Sequence, residues 1–194
     1  MDITQLSGVS SDYLNTFAKK EALVPGDDDS YLFKGTVEEN LKMAKPDATK
    51  EEMEAVLQKV NLLGFLQTQD GLQTQLLEKA SNLSGGQCQR LVIARALLRT
   101  DSAVYIFDEA ASNIDVESED LIMNVIHELA KTKTVLLISH RLANVVKSDK
   151  IYFLKDGEIK ESGKHDELMS RNGAYRHLYE SQMALENYGK GGVA

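Results

Sequence analysis

The sequence is poor in cysteine: Cys88 is the only one, so no disulfide can form within the chain. A reducing compartment is the simplest interpretation, and a small apolar role for this thiol is more common than a reactive one. Long apolar runs are also missing, because the longest, Ala103–Phe107 and Val135–Ile138, are far shorter than the roughly 20 residues of a bilayer-spanning helix. The sequence therefore predicts a soluble chain, which can still dock on a membrane protein.

Basic residues are scarce as well, since 22 Lys and Arg stand against 30 Asp and Glu in 194 residues, a formal net charge of −8. This balance counts against a non-specific nucleic-acid binder, which needs clustered basic side chains to displace counterions from phosphates. Hydrophobic residues make up 42% and charged residues 27%, as in ordinary globular proteins. We therefore expect one domain or two small ones, with no nucleic acid among the partners.

The first half of the chain carries helix-start signals. Thr36 and Thr49 are each followed three residues later by glutamate, and apolar residues at helical spacing come next. Residues 34–100 are therefore predicted to be mainly helical.

The pattern changes near residue 100. The apolar runs 103–107 and 135–138 are separated by an amphipathic helical pattern, which is typical of a parallel sheet covered by helices on both faces. Asp156-Gly157 predicts a hairpin turn between strands near residues 151–154 and 158–161. Residues 165–187 are predicted to be helical.

Polar residues follow both apolar runs: Asp108-Glu109 come after the first and Ser139-His140 after the second. Such residues line the ligand crevice of a parallel sheet. Asp108 is suited to hold Mg²⁺, which takes few protein oxygens, and Glu109 to orient or deprotonate a water molecule. His140 is a candidate contact for a terminal phosphate. Taken alone, two acids capping a strand end explain the acid pair at least as well, and a hydrogen-bonded histidine near a helix start is more common than a catalytic one.

The most informative stretch is Leu83-Ser84-Gly85-Gly86-Gln87. Its glycines let a ligand approach the backbone closely, and Ser84 can cap the helix that follows. A capped helix N-terminus with exposed amides binds anions. Ser-Gly-Gly alone indicates a turn before a core helix, whereas the full string followed by Gln89-Arg90 favours the anion site.

Taken together, these strings resemble the nucleotide-binding domain of an ABC transporter, in the order that is usual for the family. The matching stretches are Leu83–Gln87 (signature motif), Val104–Glu109 (Walker B motif with its catalytic glutamate), Ser112–Asp115 (D-loop), His140 (H-loop histidine), and Leu32–Asn40 and Gly163–Leu168 (segments of the exporter branch). The D-loop match has Asn113 and Ile114 in place of the common Ala and Leu, and Ala80 stands where a glycine often precedes the signature.

The resemblance implies an α/β, P-loop-NTPase-like fold: a mainly parallel sheet covered by helices, an inserted helical subdomain and incomplete N-terminal strands. The expected divisions are a remnant of the front part with the Q-loop region (1–33), a helical subdomain with the signature motif (34–100), an α/β core with Walker B, D-loop and H-loop (101–187), and a flexible tail (188–194).

The resemblance further implies ATP hydrolysis that drives export, with ATP and Mg²⁺ as cofactors. The residues carried over are Glu109 and His140 (catalytic), Asp108 (metal), and Ser84, Gly85, Gly86, Gln87 and Asp115 (nucleotide-binding). Two such domains of the family sandwich two ATP molecules head to tail. The expected partners are therefore a second nucleotide-binding domain and an exporter transmembrane domain, at the cytoplasmic face of the membrane.

The Walker A motif G-x-x-x-x-G-K-S/T is absent from all 194 residues, so the chain is expected to begin just after the family's P-loop. The place of the Q-loop glutamine falls at about Asp28. Two alternatives stay open: a non-enzymatic remnant that only pairs with a complete domain, and a non-transport ATPase of the ABC superfamily. ATPases of the second kind interrupt the domain with long coiled coils, for which this sequence has no heptad pattern.

Without P-loop amides and lysine, the 194-residue chain alone is predicted to bind ATP weakly and to hydrolyse it negligibly, because phosphoryl transfer depends on positioning the phosphates. Equilibrium dialysis of the purified chain with MgATP measures this directly. Stoichiometric binding at micromolar affinity would contradict the prediction.

Overall fold

The computed structural model describes residues 22–24, 32–111 and 114–190, with the backbone alone at 22–24 and 187–190. The chain forms two compact units that meet in the sequence between Ile138 and Ser139. The place of the Q-loop glutamine, about Asp28, and two D-loop positions, Ser112 and Asn113, lie outside the described residues.

The first unit alternates short strands with helices. Its elements are β1 (Ala22–Val24), β2 (Gly35–Thr36), α1 (Val37–Lys42), α2 (Lys50–Lys59), α3 (Leu63–Gln67), β3 (Gln75–Leu76), α4 (Gly85–Leu97), β4 (Val104–Asp108), α5 (Val116–Ala130) and β5 (Thr134–Ile138), with single 3₁₀ turns at Gly71–Gln73 and Glu78–Ala80.

A parallel sheet in the order β1-β4-β5 lies at the centre of this unit. Ile106 in β4 pairs with Leu23 on one side and with Leu136 on the other, so the backbone of β4 is hydrogen-bonded to both neighbours. The side chains of Tyr105 and Phe107 are fully buried. Helix α4 packs against β1 and helix α5 against β5. The predicted parallel sheet with covering helices is thus confirmed.

The predicted helix starts in residues 34–100 are confirmed by their caps. The Thr36 hydroxyl accepts a hydrogen bond from Glu39 N–H at 3.0 Å, and the Glu39 carboxylate accepts one from Thr36 N–H at 2.7 Å. Thr49 and Glu52 form the same reciprocal capping box at α2. The region also contains an antiparallel β2–β3 pair that the helical pattern did not predict, because two-residue strands have no periodicity of their own.

Asn40 is almost completely buried, and its carboxamide fixes the segment before α1. Its oxygen accepts from Phe33 N–H at 2.9 Å, while its nitrogen donates to the carbonyls of Phe33 and Thr36 at 2.9 and 3.0 Å. A buried amide with all these bonds made stabilises one backbone conformation over others. This explains an asparagine at that position of the exporter-like segment.

The second unit begins with a 3₁₀ turn and a hairpin. Its elements are the turn Leu142–Val145, β6 (Ile151–Lys155), β7 (Glu158–Gly163), α6 (His165–Ser170) and α7 (Ala174–Lys190). The hairpin predicted from Asp156-Gly157 is confirmed, since β6 and β7 are antiparallel and both turn residues have positive φ, 54° and 77°. Strands β6 and β7 form a two-stranded sheet.

Residues 165–187, predicted to be helical, form two helices, α6 and α7, with a break at residues 171–173. The carboxylate of Glu161 in β7 accepts from Tyr175 N–H at 2.9 Å and so caps α7. A Cβ at Gly173 would lie 2.6 Å from that carboxylate, so a larger residue there would require the Glu161 side chain to shift. Helix α7 continues past residue 187 to Lys190, and the flexible tail over residues 188–194 stays a prediction.

Within the described ranges, none of the helices combines the length and the apolar composition that crossing a membrane requires.

Candidate functional site

The signature string forms the N-terminus of α4. Ser84 is the N-cap: its hydroxyl accepts from Gln87 N–H at 3.2 Å, and the Gln87 side-chain oxygen accepts from Ser84 N–H at 2.9 Å. The predicted cap at Ser84 is confirmed. Gly85 is exposed and Gly86 is buried. A 13-residue helix therefore presents a capped, partly exposed N-terminus, an arrangement that suits an anion.

The loop before the signature has a strained backbone, and hydrogen bonds from one side chain hold it in place. Lys79 and Ala80 both adopt left-handed φ angles, 55° and 50°, which favour glycine. Asn82 accepts from Leu77 N–H and donates to the Gln75 carbonyl, both at 2.9 Å. The sequence did not single out Asn82, because an asparagine in a loop gives no sign of which backbone groups it joins.

Arg90 ties the first turn of α4 to the end of α2. Its Nε donates to the Gly86 carbonyl at 3.2 Å, and its Nη1 donates to the Asn61 carbonyl at 2.9 Å. Asn61 itself adopts a left-handed φ of 53°. The arginine in the string Gln87-Cys88-Gln89-Arg90 thus has a positioning role that sequence reasoning did not assign.

The predicted acid pair lies at the carboxyl end of β4. Asp108 is the last residue of the strand, pairs with Ile138 of β5 and has an exposed side chain. Glu109 follows at φ 52°, and its N–H donates to the Ile138 carbonyl at 3.0 Å. A left-handed glutamate costs roughly 1–2 kcal/mol, and strained residues of this kind concentrate at functional sites.

Asp115, the last residue of the predicted D-loop, is the N-cap of α5. Its carboxylate accepts from Ser118 N–H at 2.9 Å. Hydrogen bonds from the Ser118 backbone and hydroxyl lower the pKa of Asp115, and the positive charge of Arg90 acts in the same direction. The structure therefore gives Asp115 a capping role, while its contact with nucleotide stays a prediction.

His140 belongs to the second unit. Its backbone carbonyl accepts from the Gln182 side chain at 2.7 Å, and the same side chain accepts from Leu142 N–H at 2.9 Å. These bonds hold the segment that carries His140 against α7. Its predicted position beside Asp108 stays a prediction.

The described residues fit the implied cofactors. Mg²⁺ is usually held by one or two carboxylates together with phosphate oxygens and waters, so the exposed Asp108 suffices as a protein ligand. Within the described part of the chain, no three His, Cys, Asp or Glu side chains gather as a metal cluster. The amides at the start of α4 suit a phosphate. Both fits rest on residues of the first unit.

Comparison with known proteins gives one consistent result. A family model described as ABC transporter matches residues 4–112. An uncharacterized ABC transporter ATP-binding protein of Haemophilus influenzae is 50% identical over 171 residues, which are 88% of this chain and 30% of the relative. The ATP-dependent lipid A-core flippase of Mannheimia succiniciproducens is 44% identical over 154 residues, 78% of this chain and 26% of the relative.

A solved structure shows the same fold. A bacterial Atm1-family ABC exporter with ATP bound superposes with a TM-score of 0.78 and 30% sequence identity, over 91% of this chain and 30% of that one. The chain thus spans less than a third of each of these proteins.

The capping box at α4 predicts a local stability effect. Ser84→Ala should lower the free energy of unfolding by about 1 kcal/mol, because Gln87 N–H loses its acceptor. Ser81→Ala changes the same residue type in the same loop, at an exposed position outside the cap, and should have little effect. Urea denaturation measures both. Equal midpoints for the two variants would contradict the role of the cap.

Because Glu109 has a left-handed conformation, we expect glycine to be less destabilising at position 109 than at position 108. Glu109→Gly should raise the free energy of unfolding by up to about 1 kcal/mol, since glycine removes the left-handed penalty. Asp108→Gly, the matched change in the strand, should lower it, because glycine weakens strands. If the two variants lose stability equally in urea, the strain at Glu109 is refuted.

Proposed function

Since this chain belongs to the ABC transporter family, we propose that it forms part of the ATP-hydrolysing domain of an exporter and couples ATP hydrolysis to transport across a membrane. The observation that carries the proposal is the presence, in one compact unit, of a signature string at a capped helix N-terminus and an acid pair at the end of a buried strand. The names of the relatives support export.

Three residues carry the chemistry in this proposal. Mg²⁺, when bound, neutralises phosphate charge, and Asp108 is the residue that would hold it. Glu109 orients the attacking water and accepts its proton, for which its position one residue beyond the strand is suited. His140 is the residue for contact with the terminal phosphate.

The signature residues act on a second domain. Ser84, Gly85, Gly86 and Gln87 contribute backbone and side-chain donors to the nucleotide that a second nucleotide-binding domain holds, in a head-to-tail pair, and Asp115 lies at the start of the neighbouring helix. The second partner is a transmembrane domain of the exporter. The assembled protein works at the cytoplasmic face of the membrane.

Complementation tests this function. The 194-residue chain is mixed with a complete nucleotide-binding domain of the family whose own signature serine is replaced by alanine, so that hydrolysis depends on a signature supplied by the chain. We expect the chain to raise ATP turnover by about tenfold or more, the usual scale for restoring one transition-state donor. An absence of stimulation and of complex formation would refute the proposal and favour an inert remnant.

A variant that adds a negative charge distinguishes an effect on nucleotide contact from an effect on folding stability. Gln87→Glu keeps an acceptor for Ser84 N–H and favours the helix dipole, so stability should hold. It also places a negative charge beside the phosphate, so stimulation should fall by about tenfold. Gln67→Glu makes the same change at an exposed position on α3 and should stimulate like the unchanged chain. Equal stimulation by both variants would place the nucleotide elsewhere.

A further inference from the structure

The two adjacent glycines of the signature string have different surroundings. Among the described residues, a Cβ added at Gly85 would meet only the Ile114 methyl group, at an ordinary 3.9 Å. A Cβ added at Gly86 would overlap the Ser118 hydroxyl, and would lie 2.7 Å from Ser118 Cβ and 3.2 Å from the Asp115 carboxylate. The hydroxyl can rotate away, but the Cβ of Ser118 moves only if α5 moves. Of the two glycines, Gly86 is therefore the one that a contact among the described residues requires.

The position of Ser118 is fixed by its own surroundings. It is buried in the first turn of α5, and its N–H is bonded to the Asp115 carboxylate that caps the helix. On another side of Gly86, Arg90 binds the Gly86 carbonyl and is anchored on the Asn61 carbonyl. The first turn of α4 is thus fixed between α5 and the end of α2.

We propose that Ser118 is a positioning residue for the signature motif. Its small side chain sets the distance between the first turns of α4 and α5, so that Ser84–Gln87 and Asp115 form one rigid edge. Glycine at position 86 is required by Ser118 and not only by an approaching ligand. The function of the edge rests on the proposed ATPase role, whereas the contact between Gly86 and Ser118 does not.

Hydrogen exchange in the free chain tests the contact. Gly86→Ala and Gly85→Ala gain the same intrinsic helix propensity, so any difference between them reports the neighbouring side chain. For Gly86→Ala, amides in the first turns of α4 and α5 should exchange about tenfold faster, because overpacking opens the contact. For Gly85→Ala, they should exchange at the original rate or more slowly.

A second-site change makes the test specific. Ser118→Gly removes the Cβ that the methyl group added at position 86 would strike, so the double variant Gly86→Ala/Ser118→Gly should exchange within about twofold of Ser118→Gly alone. This comparison still decides the matter if Gly86→Ala by itself does not fold. Failure of Ser118→Gly to rescue exchange, or equal behaviour of Gly86→Ala and Gly85→Ala, would overturn the contact.

The complementation assay tests the positioning role. Maximal stimulation at saturating chain should fall by about tenfold for Gly86→Ala and recover in part in the double variant, where the methyl group at position 86 still faces the nucleotide. Asn124→Ala, an exposed change on α5, serves as the control and should behave like the unchanged chain. If exchange responds as expected while maximal stimulation does not change, Ser118 supports folding only and the positioning role is wrong. If the unchanged chain itself does not stimulate, the ATPase role fails, while the exchange data still decide the contact.

Discussion

Pairing of β4 with a strand on each side is the constraint on which the described part of the first unit depends. Because both backbone edges of β4 are bonded, Tyr105 and Phe107 can be fully buried without unsatisfied polar groups. The same pairing brings Asp108 opposite Ile138 at the end of the strand, where Glu109 binds the Ile138 carbonyl. The sheet therefore delivers the acid pair to an exposed edge while its interior stays apolar.

Helix α4 joins this core to the candidate nucleotide edge. Its buried side chains, including Leu91 and Ile93, lie in the same apolar cluster as β4. Its N-terminus is held by local bonds, the Ser84–Gln87 capping box, and by the tertiary bonds of Arg90. The residues proposed to contact the nucleotide therefore also have a structural function, and a substitution that removes the cap changes stability as well.

Three of the non-glycine residues with left-handed φ angles lie in the segments of the candidate site. Lys79 and Ala80 precede the signature, and Glu109 ends the acid pair. Hydrogen bonds hold the backbone at each of these positions. Asn82 bonds to backbone groups of the loop that contains Lys79 and Ala80, and Glu109 N–H donates to a carbonyl of β5. A strained backbone that its surroundings hold in place is preorganised, which is useful where groups must meet a phosphate in one geometry.

Local chemistry by itself determined the helix starts at Thr36, Thr49 and Ser84, the turn at Asp156-Gly157 and the two apolar strands, because caps, turns and strand runs are specified by residues a few positions apart. The family's motifs located the acid pair and the signature in the same way. Tertiary structure alone decided that Gly86 meets Ser118, that Glu161 caps α7, and that β2 pairs with β3. These contacts join residues far apart in the chain. The periodicity of a sequence does not indicate which distant side chain packs beside a glycine or caps a helix.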